Sequence, residues 1–265
     1  MKILEREIGS IAFAENQTRT IRLPRNYAYR SLQMLLVCDL TRTTTASTSA
    51  FGPKDCAPVQ LIKNIMIRAN GRDVIKNYDM ETLHRLDELR HHVRPHIYAH
   101  EWLGGDDAAD KTLKVCAQID FAMWDAIRPI DTLLNSAGLA TLELIITWGT
   151  GMDTMSDDWQ DETGAQVTVN SATLYIASVE SVGVPPGTRF MVNKEYMIRS
   201  QVTATSNNHQ IDIPTGNLYR ALVLKTHTDG EQTDLMIPVP QMITIQAGTE
   251  VFKQRIGYFL QADNR

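Results

Sequence analysis

No run in this 265-residue chain approaches the length of a membrane span, which takes roughly 18 or more consecutive apolar residues. Basic charge is also short. Lys and Arg number 26 against 31 Asp and Glu, for a net charge of −5. A surface built to neutralise phosphates needs the opposite balance, so sequence-specific nucleic acid is not an expected partner. The run "RHHVRPH" is the one short basic candidate. The three cysteines, Cys38, Cys56 and Cys116, are odd in number and lack metal-type spacing, so no disulfide framework is implied. A reducing compartment, such as a cytosol where the chain is made and assembles, suits them. "MKILEREIGSIAF" carries Glu5, Arg6 and Glu7 where a signal peptide would need an apolar core.

Catalytic signatures are missing too. There is no His-x-His pair of the cupin kind, no Walker lysine motif, no His-Glu-x-x-His and no Gly-x-Ser-x-Gly. "GTGMDT" has Thr154 where a dinucleotide fingerprint needs its third glycine. No catalytic, cofactor or metal residue is assigned on this reading, and the chain is expected not to be an enzyme.

What is present is β-structure. Hydrophobic residues make up 43% and charged residues 22%, the balance of an ordinary globular protein. "TRTIRL" alternates and stops at Pro24, and "YRSLQMLLVCDL" predicts a longer strand buried on both faces. The small, polar stretch Thr41 to Pro58 predicts a long loop. "IKNIMIRANGRDVIKNY" alternates on both sides of Asn70-Gly71, a hairpin signal because type I′ turns need positive φ at both central positions. "DMETLHRLDELRHHV" predicts the main helix. Asp79 caps it, Met80, Leu83, Leu86 and Leu89 form its stripe, and Pro95 closes the segment. "TLKVCAQIDFAMW" and "LATLELIITWGT" predict strands, the second buried, and "PIDTLLNSAG" a second short helix. "AQVTVNSATLYIASVESVG" and "TRFMVNKEYMIRSQVTAT" predict further strands.

The opening motif occurs twice. "IRLPRNYAYRSL" and "IDIPTGNLYRAL" share Ile21/Ile211, Pro24/Pro214, Tyr29/Tyr219, Arg30/Arg220 and Leu32/Leu222 without a gap. "NIMIRANGRDVIK" then matches "MITIQAGTEVFK" with one residue dropped in the turn. Both matches in one order imply two copies of a β-module. In each Tyr-Arg pair the tyrosine is expected to pack over the proline with the arginine exposed beside it.

Two clusters invite a metal. His92, His96 and His100 are spaced by successive helical turns, but Pro95 interrupts that geometry. As a strand, "HIYAHE" would put His96 and His100 on one face, and polar packing or a subunit contact is the preferred reading. Asp153, Asp157, Asp158, Asp161 and Glu162 could collect a structural Ca²⁺. They lack the order of a dedicated loop and read as a solvated linker. "GGDDAAD" reads the same way.

Taken together, "TIRLPRNYAYRSL", "IKNIMIRANGRDVIKNYDMETLHRL", "GLATLELIITW" and "IDIPTGNLYRALVL" resemble the double-jelly-roll major capsid proteins of tailless icosahedral viruses, corticovirus-like phages above all, with tectiviruses and adenoviruses. The resemblance covers most of residues 16–150 and, more weakly, 165–255. It implies an all-β fold of two jelly rolls in one chain with one or two short helices. The division is 1–150 for the first jelly roll, 151–164 for an acidic linker and 165–265 for a second, incomplete or permuted one. It also implies a homotrimer forming pseudo-hexameric capsomers of a virion shell. Neighbouring capsomers, minor capsid or penton proteins and an internal membrane would be its partners. The loop Thr41 to Pro58 would lie at the surface or between subunits, and Met1 to Ala14 would tie the subunit to neighbours or to the interior. One departure is plain: the first copy runs from Thr20 to Trp148, and the second has only Ile211 onward. Either the strands between Gln166 and Thr205 complete it in another order, or the chain is part of a longer product. Two other classes remain: a carbohydrate-binding or receptor-binding β-sandwich such as a viral spike, and a metal-dependent β-barrel enzyme.

Overall fold

The computed structural model describes residues 1–43, 57–92, 97–98, 111–123, 125–155, 160, 164–201, 209–216, 218–224, 242–247 and 249–256. The chain divides into two compact units, Met1–Gln201 and Val202–Arg265. In chain order the first holds β1 (Lys2–Ala12), β2 (Thr18–Arg22), β3 (Ala28–Thr43), β4 (Ile62–Ala69), β5 (Asp73–Tyr78), α1 (Met80–His91), β6 (Ile97–Tyr98), β7 (Lys111–Asp120), β8 (Leu134–Asn135), β9 (Leu142–Trp148), β10 (Gln166–Val182) and β11 (Glu195–Tyr196). The second holds β12 (Met242–Ala247) and β13 (Glu250–Ile256).

Two sheets build the first unit. One runs β1-β10-β3-β7-β6, with β8 against the start of β3, and the other runs β11-β5-β4-β9-β2. The chain crosses between the sheets repeatedly, as in a jelly roll, although β4 and β5 stay together in the second sheet and β6, β7 and β8 in the first. The pairs are antiparallel except β11 beside β5. The inner faces share one apolar core that includes Leu32, Leu36, Val115 and Leu174 from the first sheet and Ile65, Leu144, Ile146 and Trp148 from the second. Phe13 meets Trp148 edge to face at 5.4 Å. Truncating a core leucine or isoleucine to alanine in such a setting costs about 2–5 kcal/mol.

Local chemistry explains the elements. Asn70 and Gly71 both have positive φ, 53° and 73°, and so turn β4 back onto β5 as the dipeptide requires. Asp79 caps α1 by accepting from the Thr82 amide at 2.5 Å, and His92 ends it in the left-handed region. Met80 and Leu83 are buried and Leu86 packs on the core, but Leu89 is exposed. The expected stripe is therefore shorter than the helix.

Several expectations change. β3 alternates and is not buried on both faces: Leu32, Met34, Leu36, Cys38 and Leu40 point inward, while Leu35 and Val37 are only half-buried. "PIDTLLNSAG" is not a helix, because Leu133 and Leu134 are both buried and only 3-10 turns, Pro129–Thr132 and Ser136–Gly138, flank the short β8. Among the described residues of the 188–205 stretch, β11 is the one strand. The expected boundary at residues 151–164 falls inside the first unit. β10, expected to belong to a second jelly roll, lies hydrogen-bonded between β1 and β3. The N-terminal segment is β1, at the edge of the first sheet.

The second unit repeats the hairpin in detail. In the first unit Ile67 pairs with Lys76, Arg68 with Val74 and Ala69 with Asp73, with a register shift that skips Ile75. In the second, Ile245 pairs with Lys253, Gln246 with Val251 and Ala247 with Glu250, with a shift that skips Phe252. The irregularity falls at the same place in both copies, so the sequence repeat is a structural one.

Candidate functional site

The repeated Tyr-Arg motif has one geometry in both copies. Tyr29 donates its hydroxyl to the Pro24 carbonyl at 2.7 Å, and Tyr219 donates to the Pro214 carbonyl. Each bond closes the proline turn across five residues. Tyr29 is fully buried. Burial, with the nearby Glu180 carboxylate adding to it, pushes its phenol well above the usual range and keeps it a donor. Arg30 is half-buried, not exposed, and its carbonyl accepts from the Phe121 and Ala122 amides. In the second unit Tyr219 and Arg220 are both exposed.

Residues 189–199 form a strap along the first unit. The Met191 amide donates to the Asp131 carbonyl at 2.6 Å, and the Met197 amide to the Asn77 carbonyl at 2.8 Å. Tyr196 Oη donates to the Val74 carbonyl at 2.7 Å, and Arg199 reaches the Asp79 carboxylate. Beneath the strap, Glu195 forms an ion pair with fully buried Lys76 at 2.9 Å and accepts a hydrogen bond from Arg90. Burial lowers the Lys76 ammonium to about 8, partly offset by Glu195. The ion pair thus fixes a segment that has little regular structure of its own. Met191, Val192, Tyr196 and Ile198 are nevertheless exposed, by 46–49%, an apolar ribbon of the kind found at protein contacts.

A third cluster lies where α1 meets β7. Asp87 and His91, one turn apart on α1, face Asp120 at the end of β7. His91 Nε2 is 2.9 Å from Asp120 Oδ2. Burial raises the Asp87 carboxyl to about 7, against the pull of its bond from the Gln118 amide.

Of the sequence-derived candidates, His92 and Asp153 fall among the described residues. His92 is the C-cap of α1, and His96 and His100 lie outside the described residues. Asp153 accepts from the Thr150 amide at 2.7 Å and pairs with Lys63 at 3.0 Å. Asp157, Asp158, Asp161 and Glu162 lie outside the described residues, as do 44–56 of the long loop and all of "GGDDAAD". Sequence reasoning missed Lys76, Glu195 and Asp120. Only the Asp87–His91 spacing carried a signal, four residues apart on a predicted helix.

No family model matches the chain, and no curated protein does. Solved structures do. The major capsid protein of Sulfolobus turreted icosahedral virus aligns with 68% of this chain and 49% of its own, at 15% identity and a TM-score of 0.51. The atomic structure of that virus aligns with 68% of this chain and 46% of its own, at 15% identity and 0.49. The major capsid protein of bacteriophage PM2 aligns with 69% and 52%, at 16% identity and 0.35. The chain spans about half the length of these structures. Its fold is that of the jelly-roll viral major capsid proteins, as the first of these alignments shows. No helix among the described residues is long and apolar enough to cross a membrane.

Proposed function

We propose that this chain is a structural subunit of a viral capsid and works by assembly and not by turnover. The carrying observation is the shared fold with a viral major capsid protein. Fold alone leaves function open, and the duplicated hairpin and Tyr–Pro bonds supply the second support. On this reading residues 202–265 belong to a second jelly roll that repeats the first. Three chains then give six similar blocks about one axis, a closed pseudo-hexamer that tiles a facet. The apolar ribbon at Met191, Val192, Tyr196 and Ile198 is covered by a neighbouring copy in the shell. Neighbouring capsomers, minor capsid or penton proteins and an internal membrane are the partners, and the virion capsid, made in the host cytoplasm, is the location.

Light scattering on the purified chain at neutral pH tests the reading. A trimer supports it. A monomer at every concentration up to the micromolar range contradicts it and favours a glycan-binding sandwich.

A further inference from the structure

We propose that Asp87, His91 and Asp120 hold a single divalent transition ion of the Zn²⁺ class where α1 packs on β7. One donor atom from each residue lies within 4.8 Å of the others. The donor set is one imidazole and two carboxylates, a mixture zinc accepts readily. Ca²⁺ is a poor fit, because it takes six or more oxygens and seldom an imidazole.

The surroundings orient the two carboxylates. Gln118 ties one oxygen of each: its amide donates to Asp87 Oδ2 at 2.7 Å, and its side chain donates to Asp120 Oδ1 at 2.7 Å. That leaves Asp87 Oδ1 and Asp120 Oδ2. Asp120 Oδ2 faces His91 Nε2 at 2.9 Å, close to the roughly 3.3 Å that separates two ligands of one tetrahedral zinc at the usual bond lengths. Asp87 is 2% exposed, and its Oδ1 has no hydrogen-bond partner among the described residues. A buried carboxylate oxygen without a partner is costly. An ion bound here satisfies that oxygen. His91 sits in the last turn of α1, where the helix dipole favours positive charge. Its side chain is 39% exposed, so water reaches the fourth position. The site ties α1 to the end of β7.

The test uses the full chain, stripped with a chelator and titrated with Zn²⁺, with Co²⁺ as the spectroscopic probe. One equivalent of Co²⁺ is expected to give visible bands of tetrahedral intensity. Zn²⁺ at a hundredfold excess over its Kd is expected to raise the melting midpoint by about 5–10 °C, whereas Ca²⁺ leaves it unmoved. His91→Ala and Asp120→Asn should each abolish the bands, and a variant with His92, His96 and His100 all changed to alanine should keep them. Asp87→Asn, which removes the buried charge, should weaken Zn²⁺ binding at least tenfold while folding normally. Absence of saturable Co²⁺ bands in the unaltered chain overturns the site. So does binding that survives His91→Ala, because the ion is then held elsewhere.

Discussion

The guanidinium of Arg6 grips the carboxylate of Glu180 with a fork, Nη2 donating to both oxygens at 2.9 and 3.0 Å and Nε donating to Oε1 at 3.1 Å. Glu180 is fully buried, and the Ser178 hydroxyl also donates to it, at 2.7 Å. The pair fastens β1 to β10. Removing one partner from a buried pair strands the other charge, which costs about 3–5 kcal/mol. Arg6→Ala should lose stability of that order in urea denaturation, and adding Glu180→Gln to it should recover much of the loss. An Arg6→Ala variant as stable as the unaltered chain would mean that β1 is held by backbone pairing alone.

Gly151 marks the turn that leads out of β9. A Cβ there would stand 2.5 Å from the Val167 carbonyl oxygen, and backbone cannot move aside as a flexible side chain can. Gly151→Ala should cost about 1–3 kcal/mol, read as a lower urea midpoint.

Asp79 should make α1 sensitive to acid. Burial raises its carboxyl, but bonds from Thr82 and the Arg199 guanidinium outweigh burial and hold it below the ordinary 3.8. A lowered native value means the contribution is present above 3.8 and is lost as pH falls through the native value. Asp79→Asn still caps but carries no charge. The stability difference between it and the unaltered chain should be constant from pH 7 to 5 and close below pH 4.

The described cysteines should differ sharply towards alkylation. Cys38 is buried, and burial together with the Asp39 charge pushes its thiol up to about 12, which leaves almost no thiolate. Cys116 is exposed. Peptide mapping after brief iodoacetamide treatment at pH 8 should find Cys116 modified and Cys38 untouched until urea unfolds the chain.

Short-range chemistry was legible in the sequence, and long-range pairing was not. Asn70-Gly71 announces its turn because few residues tolerate two positive φ values, and Asp79 announces its cap. The Tyr29 and Tyr219 repeats read correctly as two copies of one turn, although the proline carbonyl bond that makes them conserve their spacing within the chain shows only in three dimensions. The boundary expected at 151–164 differs from the division between Gln201 and Val202 because β10 pairs with β1 and β3, strands more than a hundred residues away, and no local periodicity encodes such a partner. β3 misled for a related reason: Leu35 and Val37 are apolar but outward, so a continuous apolar run imitated a strand buried on both faces. Asp120 gave no sign of joining Asp87 and His91, since only the β7 register brings it there.

The central claim is that this chain is a capsid subunit that closes into trimers. Negative-stain electron microscopy of the purified chain at micromolar concentration tests that claim most directly. Class averages with three-fold symmetry and a near-hexagonal outline are the predicted result. Averages showing only isolated single chains, with no symmetric class at any concentration, would contradict it.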